Sequence, residues 1–249
     1  MINNKRILAV VLARKNSKGL PGKNLKYLNG KPLVAWPIIA AKKSKYVDKI
    51  ILSTDCKEIA STGETYGAKI PFIRPDNLSE DNSRSEDALI HAIDFLDSEK
   101  EHYDYVVLLE PTSPLTEVFD IDKALEQLIN NTFSYTALVS IGEASTSHPS
   151  FCFSLDKNMT IKSYASKENE IHIPRRQDIK QLFFCDGSLY ISSIKEFIIK
   201  KTFYHSKTMG FVMPEWKNLE IDQELDLFLV EQIMKYYQKE KYEEKKFSK

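Results

Sequence analysis

The sequence predicts one α/β domain that is built around a mostly parallel sheet. Short apolar runs alternate with amphipathic segments of ten or more residues along most of the 249-residue chain, as is typical of strands joined by helices. The runs at residues 7–13, Lys49–Ser53 and Tyr105–Leu109 are rich in β-branched residues and leucine. Such runs are expected of strands that are buried on both faces of a sheet. A chain of this length can bury one large core.

The first strand is followed by a loop that is rich in glycine and cations, with residues 14–24 reading RKNSKGLPGKN. Gly19 and Gly22 can adopt backbone torsions that are closed to other residues, while Pro21 fixes its own, so we expect a sharply shaped loop. Backbone amides and cations at the end of a strand suit a polyphosphate, and a solvated basic turn is the alternative. Neither the G-x-G-x-x-G nor the G-x-x-x-x-G-K-[ST] nucleotide motif is present.

The segments after this loop continue the alternation. Residues 32–44 predict a helix that starts at Pro32 and is kinked or delayed by Pro37. The strand Lys49–Ser53 leads to the next helix, for which Asp55 and Glu58 have the spacing of a capping box. A direct role for Asp55 in a site remains the second interpretation.

The middle of the chain adds a second unusual loop. Residues 85–96 predict an amphipathic helix, and the strand Tyr105–Leu109 then ends in EPTSPL at residues 110–115. Two prolines within four residues make this a rigid turn. A helix over 119–130 and a strand over 137–141 follow. Because ligands of α/β proteins bind beyond the carboxyl ends of the strands, we expect the site where these two loops meet.

The alternation stops over residues 143–184, a polar segment that predicts an excursion of irregular structure and antiparallel strands. Regular structure then resumes with a strand over 188–191, a helix over 195–201, a strand over 210–213 and a helix over 225–236. We therefore divide the chain into an α/β domain of residues 1–142 and 185–238, the excursion of residues 143–184, and a charged tail of residues 239–249 that is expected to fray.

Composition excludes several classes of partner. Lys plus Arg and Asp plus Glu both number 35, so no overall field favours nucleic acid or an anionic membrane. Cys56, Cys152 and Cys185 form no disulfide framework, and the five histidines show no paired spacing for zinc. No apolar stretch approaches the ~20 residues of a membrane span, and no secretory signal is evident. We expect a cytoplasmic protein with small-molecule partners.

Three motifs, in order along the chain, resemble one family. The first is A-R-x-x-S-K-G-x-x-x-K-N in the first loop. The second is LLEPTSPL at residues 108–115, similar to L-L-Q-P-T-S-P-L-R with Glu110 in place of Gln and Thr116 in place of Arg. The third, at residues 220–227, is similar to D-I-D-x-x-x-D-L with Glu220 in place of the first Asp. Together they resemble the CMP-sialic acid synthetases, cytidylyltransferases that activate sialic acids and related ulosonates.

This resemblance implies a Rossmann-like fold similar to nucleotide-diphospho-sugar transferases. It also implies that CTP reacts with a nine-carbon 2-keto sugar acid, a nonulosonic acid, to give a CMP-sugar and pyrophosphate in the presence of Mg²⁺. The excursion would form a homodimer. The alternatives are a cytidylyltransferase for an eight-carbon ulosonate such as 3-deoxy-manno-octulosonate, a uridylyl- or guanylyltransferase of this fold, and a catalytically silent nucleotide-binding or assembly protein.

The resemblance also implies roles for individual residues. Transfer of CMP builds negative charge on phosphoryl oxygens, which cations stabilise. The predicted catalytic residues are Arg14, Lys18, Lys23 and Asp222. The predicted nucleotide-binding residues are Arg14, Ser17, Lys18, Gly19, Lys23, Asn24, Arg74, Ser83 and Pro111. Asp222 with Glu220 would hold Mg²⁺, which prefers carboxylate oxygens; a favourable charge at a helix N-terminus is the structural alternative for this pair.

The predicted sugar-binding residues are Glu110, Thr112, Ser113, Arg176, Asp186, Tyr190 and Phe203. Glu110 could bind the sugar or join the shell of the metal, and together with Asp222 it is a candidate general base. Phe203 could equally be a core residue. Residues 184–187 read FCDG where relatives that use sialic acid often have RPNG, so an arginine for the sugar carboxylate is missing there. Arg175, Arg176 or Lys180 could replace it. A legionaminic or pseudaminic type of sugar is therefore expected.

Overall fold

Strands and helices alternate along the chain in this computed structural model, which describes residues 1–165, 171 and 173–247, with side chains as far as residue 237. The strands are β1 (Ile7–Leu12), β2 (Tyr27–Leu28), β3 (Lys31–Pro32), β4 (Lys49–Ser53), β5 (Tyr105–Leu109), β6 (Ala137–Glu143), β7 (Phe153–Leu155), β8 (Ile161–Ser163), β9 (Phe183–Ser193) and β10 (Thr208–Val212). The helices are α1 (Ala35–Lys43), α2 (Lys57–Tyr66), α3 (Ser85–Ser98), α4 (Val118–Ile129), α5 (Ile194–Lys200) and α6 (Glu224–Phe247).

The central sheet has six strands in the order β10-β6-β9-β5-β1-β4. Strand β1 pairs in parallel with both β4 and β5, and β10 pairs in parallel with β6. Strand β9 is antiparallel to both of its neighbours, β5 and β6. The predicted α/β class with a mostly parallel sheet is therefore confirmed. Because β1 and β5 are adjacent and parallel, the two unusual loops leave the sheet side by side.

Helices cover both faces of this sheet. Alternate residues of β1 face opposite sides, so Ala9 and Val11 pack with α1, α2 and α4, whereas Leu8 and Val10 pack with α3 and α5. All six residues of β1 are buried, as predicted for a strand that is covered on both faces. The predicted apolar side of α3 is also confirmed, since its buried residues are Ala88, Leu89, Ala92, Ile93 and Leu96.

Two helix starts differ from the prediction. Helix α1 begins at Ala35 because Pro32 belongs to β3, and Pro37 consequently lies in the first turn, where its missing N–H leaves no bond unmade. Helix α2 begins at Lys57 without a side-chain cap, so the predicted capping box at Asp55 is wrong. The Oδ1 atom of Asp55 instead accepts a hydrogen bond from the backbone N–H of Lys15 at 2.8 Å, which ties the first loop to the end of β4.

The excursion has the predicted character where the structure describes it. Strands β7 and β8 form an antiparallel pair, and β6 and β9 remain paired as far as Glu143 and Phe183. Parts of the segment 143–184 lie outside the described residues. The backbone of residues 239–247, within the predicted charged tail, continues α6 to Phe247. Among the helices that the structure describes, none combines the length and apolar character needed to cross a membrane.

Candidate active site

The first loop, the stretch 74–88, the loop after β5 and residues 220–222 surround a cavity of about 480 Å³ at the carboxyl edge of the sheet. Most of the predicted site residues meet there. Those that line the cavity are Arg14, Ser17, Lys18, Gly19, Lys23, Asn24, Arg74, Ser83, Glu110, Pro111, Thr112, Tyr190, Glu220 and Asp222. The lining residues that the sequence analysis missed are Leu12, Leu78, Glu80, Asp81, Arg84, Ser85, Ala88 and Gly187.

The first loop is held in shape by contacts within itself and with the segment before α6. The buried Asn24 donates from Nδ2 to the backbone oxygen of Arg14 at 2.8 Å. A Cβ atom on Gly19 would lie 2.4 Å from the backbone oxygen of Asp222. Only glycine allows so close an approach, and the first loop therefore fits directly against the backbone of Asp222.

Three cations of this loop are already paired with carboxylates. Arg14 Nη1 lies 3.0 Å from Asp81 Oδ1, and Lys18 Nζ lies 3.2 Å from Asp81 Oδ2. Lys23 Nζ lies 3.0 Å from Asp222 Oδ1 and also donates to the backbone oxygen of Ile221 at 3.3 Å. The loop therefore presents cations in positions where they bind anionic oxygens.

Arg74 forms a further wall of the cavity. It is buried, and its Nε donates to the hydroxyl of Ser79 at 3.1 Å. Burial lowers the pKa of this guanidinium, the charge of Arg14 lowers it further, and the carboxylates of Asp55 and Glu110 oppose that change. The cavity thus holds a fourth positive charge that is partly removed from water.

Acidic side chains face these cations. Burial raises the pKa of the Glu110 carboxyl to about 7, with a further contribution from the charge of Glu220, while Lys23 and Arg74 oppose the rise. Burial also raises the pKa of Glu220, and the neighbouring charge of Asp222 adds to it. The cavity therefore contains two carboxyl groups whose pKa is raised, and a bound cation would favour their ionised forms.

The comparison with known proteins identifies the family. A family model described as "Cytidylyltransferase" matches residues 8–247. The chain belongs to this family. It is therefore a nucleotidyltransferase, and the predicted family and enzyme class are confirmed.

Relatives of this cytidylyltransferase include enzymes for two bacterial sugar acids. The chain is 34% identical to the CMP-N,N'-diacetyllegionaminic acid synthase of Legionella pneumophila, across 94% of this chain and 98% of the relative. It is 31% identical to a pseudaminic acid cytidylyltransferase of Campylobacter jejuni, across 88% and 92%. It is also 28% identical to the N-acylneuraminate cytidylyltransferase of Escherichia coli, in an alignment that covers 90% of this chain but 51% of the relative.

A solved structure supports the fold. The structure of a CMP:2-keto-3-deoxy-manno-octonic acid synthetase complexed with CTP superposes with a TM-score of 0.66, at 15% sequence identity, over 93% of this chain and 99% of that one. A 4-diphosphocytidyl-2C-methyl-D-erythritol synthase from Anaerococcus prevotii superposes with a TM-score of 0.62 at 13% identity. These neighbours confirm the predicted Rossmann-like architecture.

Two predicted sugar-binding residues of the cytidylyltransferase, Asp186 and Phe203, are buried and do not line the cavity. Asp186 is 2% exposed, and its carboxylate accepts hydrogen bonds from the hydroxyl of Ser140 and from the backbone N–H of Ser188 at 3.2 Å. Phe203 is buried against Phe197, with 4.6 Å between the ring centroids. Phe203 therefore lies in the core, as its second interpretation expected, and neither side chain lines the cavity of this chain.

Two more predicted residues lie outside the lining of the cavity. Ser113 is buried, and its hydroxyl donates to the backbone oxygen of Gly187 at 3.4 Å, so it joins the loop after β5 to β9. Arg176 is exposed in the excursion and does not line the cavity of this chain. Its neighbour Arg175 is paired with Asp178 at 2.7 Å. The described part of one chain therefore brings no arginine of the excursion to the cavity.

The acidic pair predicted to bind a metal lies at the edge of the cavity. Glu220 fits against Gly187, where a Cβ atom would lie 1.5 Å from the Oε1 atom of Glu220. Among the described residues, no group of three potential ligands is close enough to hold a metal by protein atoms alone. The donor set of Glu220 and Asp222 fits a hard cation such as Mg²⁺, which takes few protein carboxylates and completes its shell with waters and phosphate oxygens.

Proposed function

We propose that this cytidylyltransferase transfers the CMP group of CTP to a nine-carbon 2-keto sugar acid and releases pyrophosphate. The observation that carries the proposal is the cavity itself, where Arg14, Lys18 and Lys23 face the carboxylates of Glu220 and Asp222 across the ends of β1 and β5. Relatives that align along nearly their whole length are named for the same class of reaction. An eight-carbon ulosonate remains the alternative substrate, and the neighbour named for it has a similar fold at low identity.

The cations would stabilise the transferred phosphoryl group. A carboxylate oxygen and a phosphate oxygen are equivalent acceptors for an ammonium or guanidinium group. When CTP binds, Arg14 and Lys18 would therefore exchange Asp81 for the triphosphate. Lys23 would contact the triphosphate and Asp222 together. The charge that develops on the departing pyrophosphate would be met by cations that are already oriented.

The anomeric hydroxyl of the sugar would attack the α-phosphorus of CTP, in line with the bond to the departing pyrophosphate. No covalent intermediate with the protein is required. Glu110 and Asp222 are the candidate proton acceptors. The proton affinity of Glu110 suits this role, since burial raises its pKa to about 7 and a base is most effective near the working pH.

The acidic pair would hold Mg²⁺, in keeping with the fit of its donor set. When bound, the ion would neutralise charge on phosphate oxygens and lower the pKa of a coordinated hydroxyl. Lys23 would keep Asp222 oriented through the 3.0 Å ion pair. The same cation would favour the ionised form of Glu220, because burial and then the neighbouring carboxylates raise the pKa of its carboxyl group.

The sugar would occupy the part of the cavity near Glu110, Thr112 and Tyr190. A carboxylate at Glu110 repels the carboxylate of the substrate, so we propose that hydroxyl or amide groups of the sugar face it. This favours an acylated nonulosonic acid of the legionaminic or pseudaminic type. A homodimer formed by residues 143–184 and a location in the cytoplasm are also proposed.

Asp81→Asn is expected to tighten the binding of CTP and Mg²⁺ by about two- to fivefold, because the exposed Asp81 competes with phosphate for two cations at a strength of ~0.5–1 kcal/mol. Calorimetric titration at low and high salt would measure the change, which should shrink as salt screens the ion pairs. Asp76→Asn is the matched control, since Asp76 is exposed on the same loop and does not line the cavity. Weaker binding in Asp81→Asn would show that Asp81 orients the cations instead of competing for them.

Pyrophosphate release tests the function directly. The protein would be supplied with CTP, Mg²⁺ and either N,N'-diacetyllegionaminic, pseudaminic, N-acetylneuraminic or 3-deoxy-manno-octulosonic acid, with UTP and GTP replacing CTP as controls. Release with CTP and one nine-carbon acid is expected. Release with the eight-carbon acid alone would select the alternative substrate. Silence with every acid, despite measurable binding of CTP, would point to a nucleotide-binding protein without this activity.

A further inference from the structure

The segment 214–222 carries the acidic pair and is anchored by a buried lysine. Lys217 is 3% exposed, and its Nζ lies 2.5 Å from Asp120 Oδ2 and 3.0 Å from Glu117 Oε2. Lysine is rarely buried this completely unless it is paired. This lysine precedes Glu220 by three residues and Asp222 by five.

The anchor point is the rigid start of helix α4. Glu117 and Asp120 form a reciprocal capping box, in which the backbone N–H of Glu117 donates to Asp120 Oδ2 at 2.8 Å. The ammonium group of Lys217 also lies 5.0 Å from the centre of the Trp216 ring, and that ring stacks on Tyr237 of α6 at 4.0 Å. One end of the acidic segment is therefore fixed to two helices.

The other end of the segment is fixed to the two loops of the cavity. The backbone N–H of Ile221 donates to the backbone oxygen of Thr112 at 2.8 Å. Asp222 contacts the first loop through the close approach of Gly19 and through its ion pair with Lys23. Glu220 thus lies between two fixed points, with Lys217 on one side and Ile221 on the other.

We propose that Lys217 is a positioning residue that sets Glu220 and Asp222 at the spacing that a divalent cation requires. The inference rests on the proposed function only in assigning a cation to this pair. A buried ion pair contributes little net stability because its charges must be desolvated, and an apolar side chain of similar volume often serves as well. The ion pairs of Lys217 instead fix where the segment 214–222 lies relative to α4.

Four variants separate positioning from stability. Lys217→Met removes the anchor but leaves Asp120 buried without its partner. The double variant with Asp120→Asn removes that unpaired charge and keeps an oxygen for the backbone N–H of Glu117. Lys217→Arg retains the charge, and Lys45→Met is the matched control because exposed Lys45 pairs at 3.0 Å with Glu126 of the same helix.

The measurement is the uptake of Mn²⁺ in the presence of CTP, followed by electron paramagnetic resonance, together with thermal unfolding. Residues that orient metal ligands typically alter metal affinity by about 10- to 100-fold. We therefore expect Lys217→Met and the double variant to bind Mn²⁺ at least about tenfold more weakly than the wild type. The double variant should recover melting temperature without recovering affinity, Lys217→Arg should recover part of the affinity, and Lys45→Met should match the wild type.

Each outcome decides the proposal. Wild-type affinity for Mn²⁺ in the double variant would overturn it, because the lysine would then serve stability alone. Absence of Mn²⁺ binding by the wild type would also overturn it, whether or not pyrophosphate is released. Weakened Mn²⁺ binding by the variants, in a wild type that releases no pyrophosphate with any sugar acid, would support positioning while contradicting the proposed function.

Discussion

Lys23→Ala is expected to reduce kcat/KM for pyrophosphate release by about 10²–10³-fold, or ~3–4 kcal/mol of transition-state stabilisation. The side chain of Lys23 is 18% exposed and its Nζ is fixed by Asp222 at 3.0 Å. Such a group has already lost its conformational freedom and part of its hydration, so it meets developing phosphate charge without reorganisation. Because the charge grows toward the transition state, the loss should fall on kcat as well as on KM.

Lys26→Ala is the matched control for this experiment. Lys26 follows the same loop, and its Nζ forms an ion pair with Glu224 at 3.2 Å, but it does not line the cavity. We expect a change of less than about twofold in kcat/KM, as for an exposed ion pair. Melting temperatures of both variants would exclude unfolding as the cause. Near-normal turnover by Lys23→Ala would remove Lys23 from the phosphate site.

The sequence was sufficient to predict the sheet and the place of the cavity. Buried parallel strands are short and continuously apolar, so β1, β4 and β5 could be located within one residue. Parallel pairing then places their carboxyl ends at one edge, which brings together loops that are about 100 residues apart in sequence. The close approach of Gly19 to the backbone oxygen of Asp222 shows why the first motif carries a glycine at this position.

The residues that were missed depend on partners that are distant in sequence. Lys217 lies in the polar stretch EWKNLE, and a lysine there would ordinarily be exposed. Its burial depends on the carboxylate of Asp120, 97 residues earlier. In the sequence, Asp120 has the position of an ordinary capping-box residue of a helix. Asp81 likewise has no local signal, because its two cations belong to the first loop.

The burial of Asp186 and Phe203 has a different physical cause. Residue type alone does not show which side of a strand a side chain occupies, since the two faces alternate with a period of two. Asp186 lies where the pairing of β6 with β9 is irregular, between Val139 and Ile141, and its carboxylate turns inward to Ser140. Phe203 lies in the loop between α5 and β10 and packs in the core. Its residue type did not distinguish the two places, because an aromatic ring suits a core as well as a binding site.

Glu110→Gln is expected to change how the stability of the protein depends on pH. The folded-state pKa of Glu110 is raised from 4.5 to about 7, so between these values the folded protein holds a proton that the unfolded chain has lost. The free energy of unfolding of the wild type therefore falls as pH rises through this window, by up to ~3 kcal/mol from this group. Glutamine is neutral at every pH, so the variant lacks this fall in the free energy of unfolding. Relative to the wild type, the variant should gain stability from pH 4.5 to pH 8.

Urea unfolding at pH 5 and pH 8, without Mg²⁺ or nucleotide, would measure this difference. The exposed Glu143 at the end of β6 provides the control Glu143→Gln, which should keep the wild-type dependence on pH. Equal slopes for Glu110→Gln and the wild type would mean that Glu110 titrates normally and is solvated in the folded protein. The confirmed slope would have a catalytic meaning as well, because burial and the charge of Glu220 destabilise the carboxylate. A carboxylate destabilised in this way accepts a proton more readily at neutral pH, as a general base near the sugar hydroxyl requires.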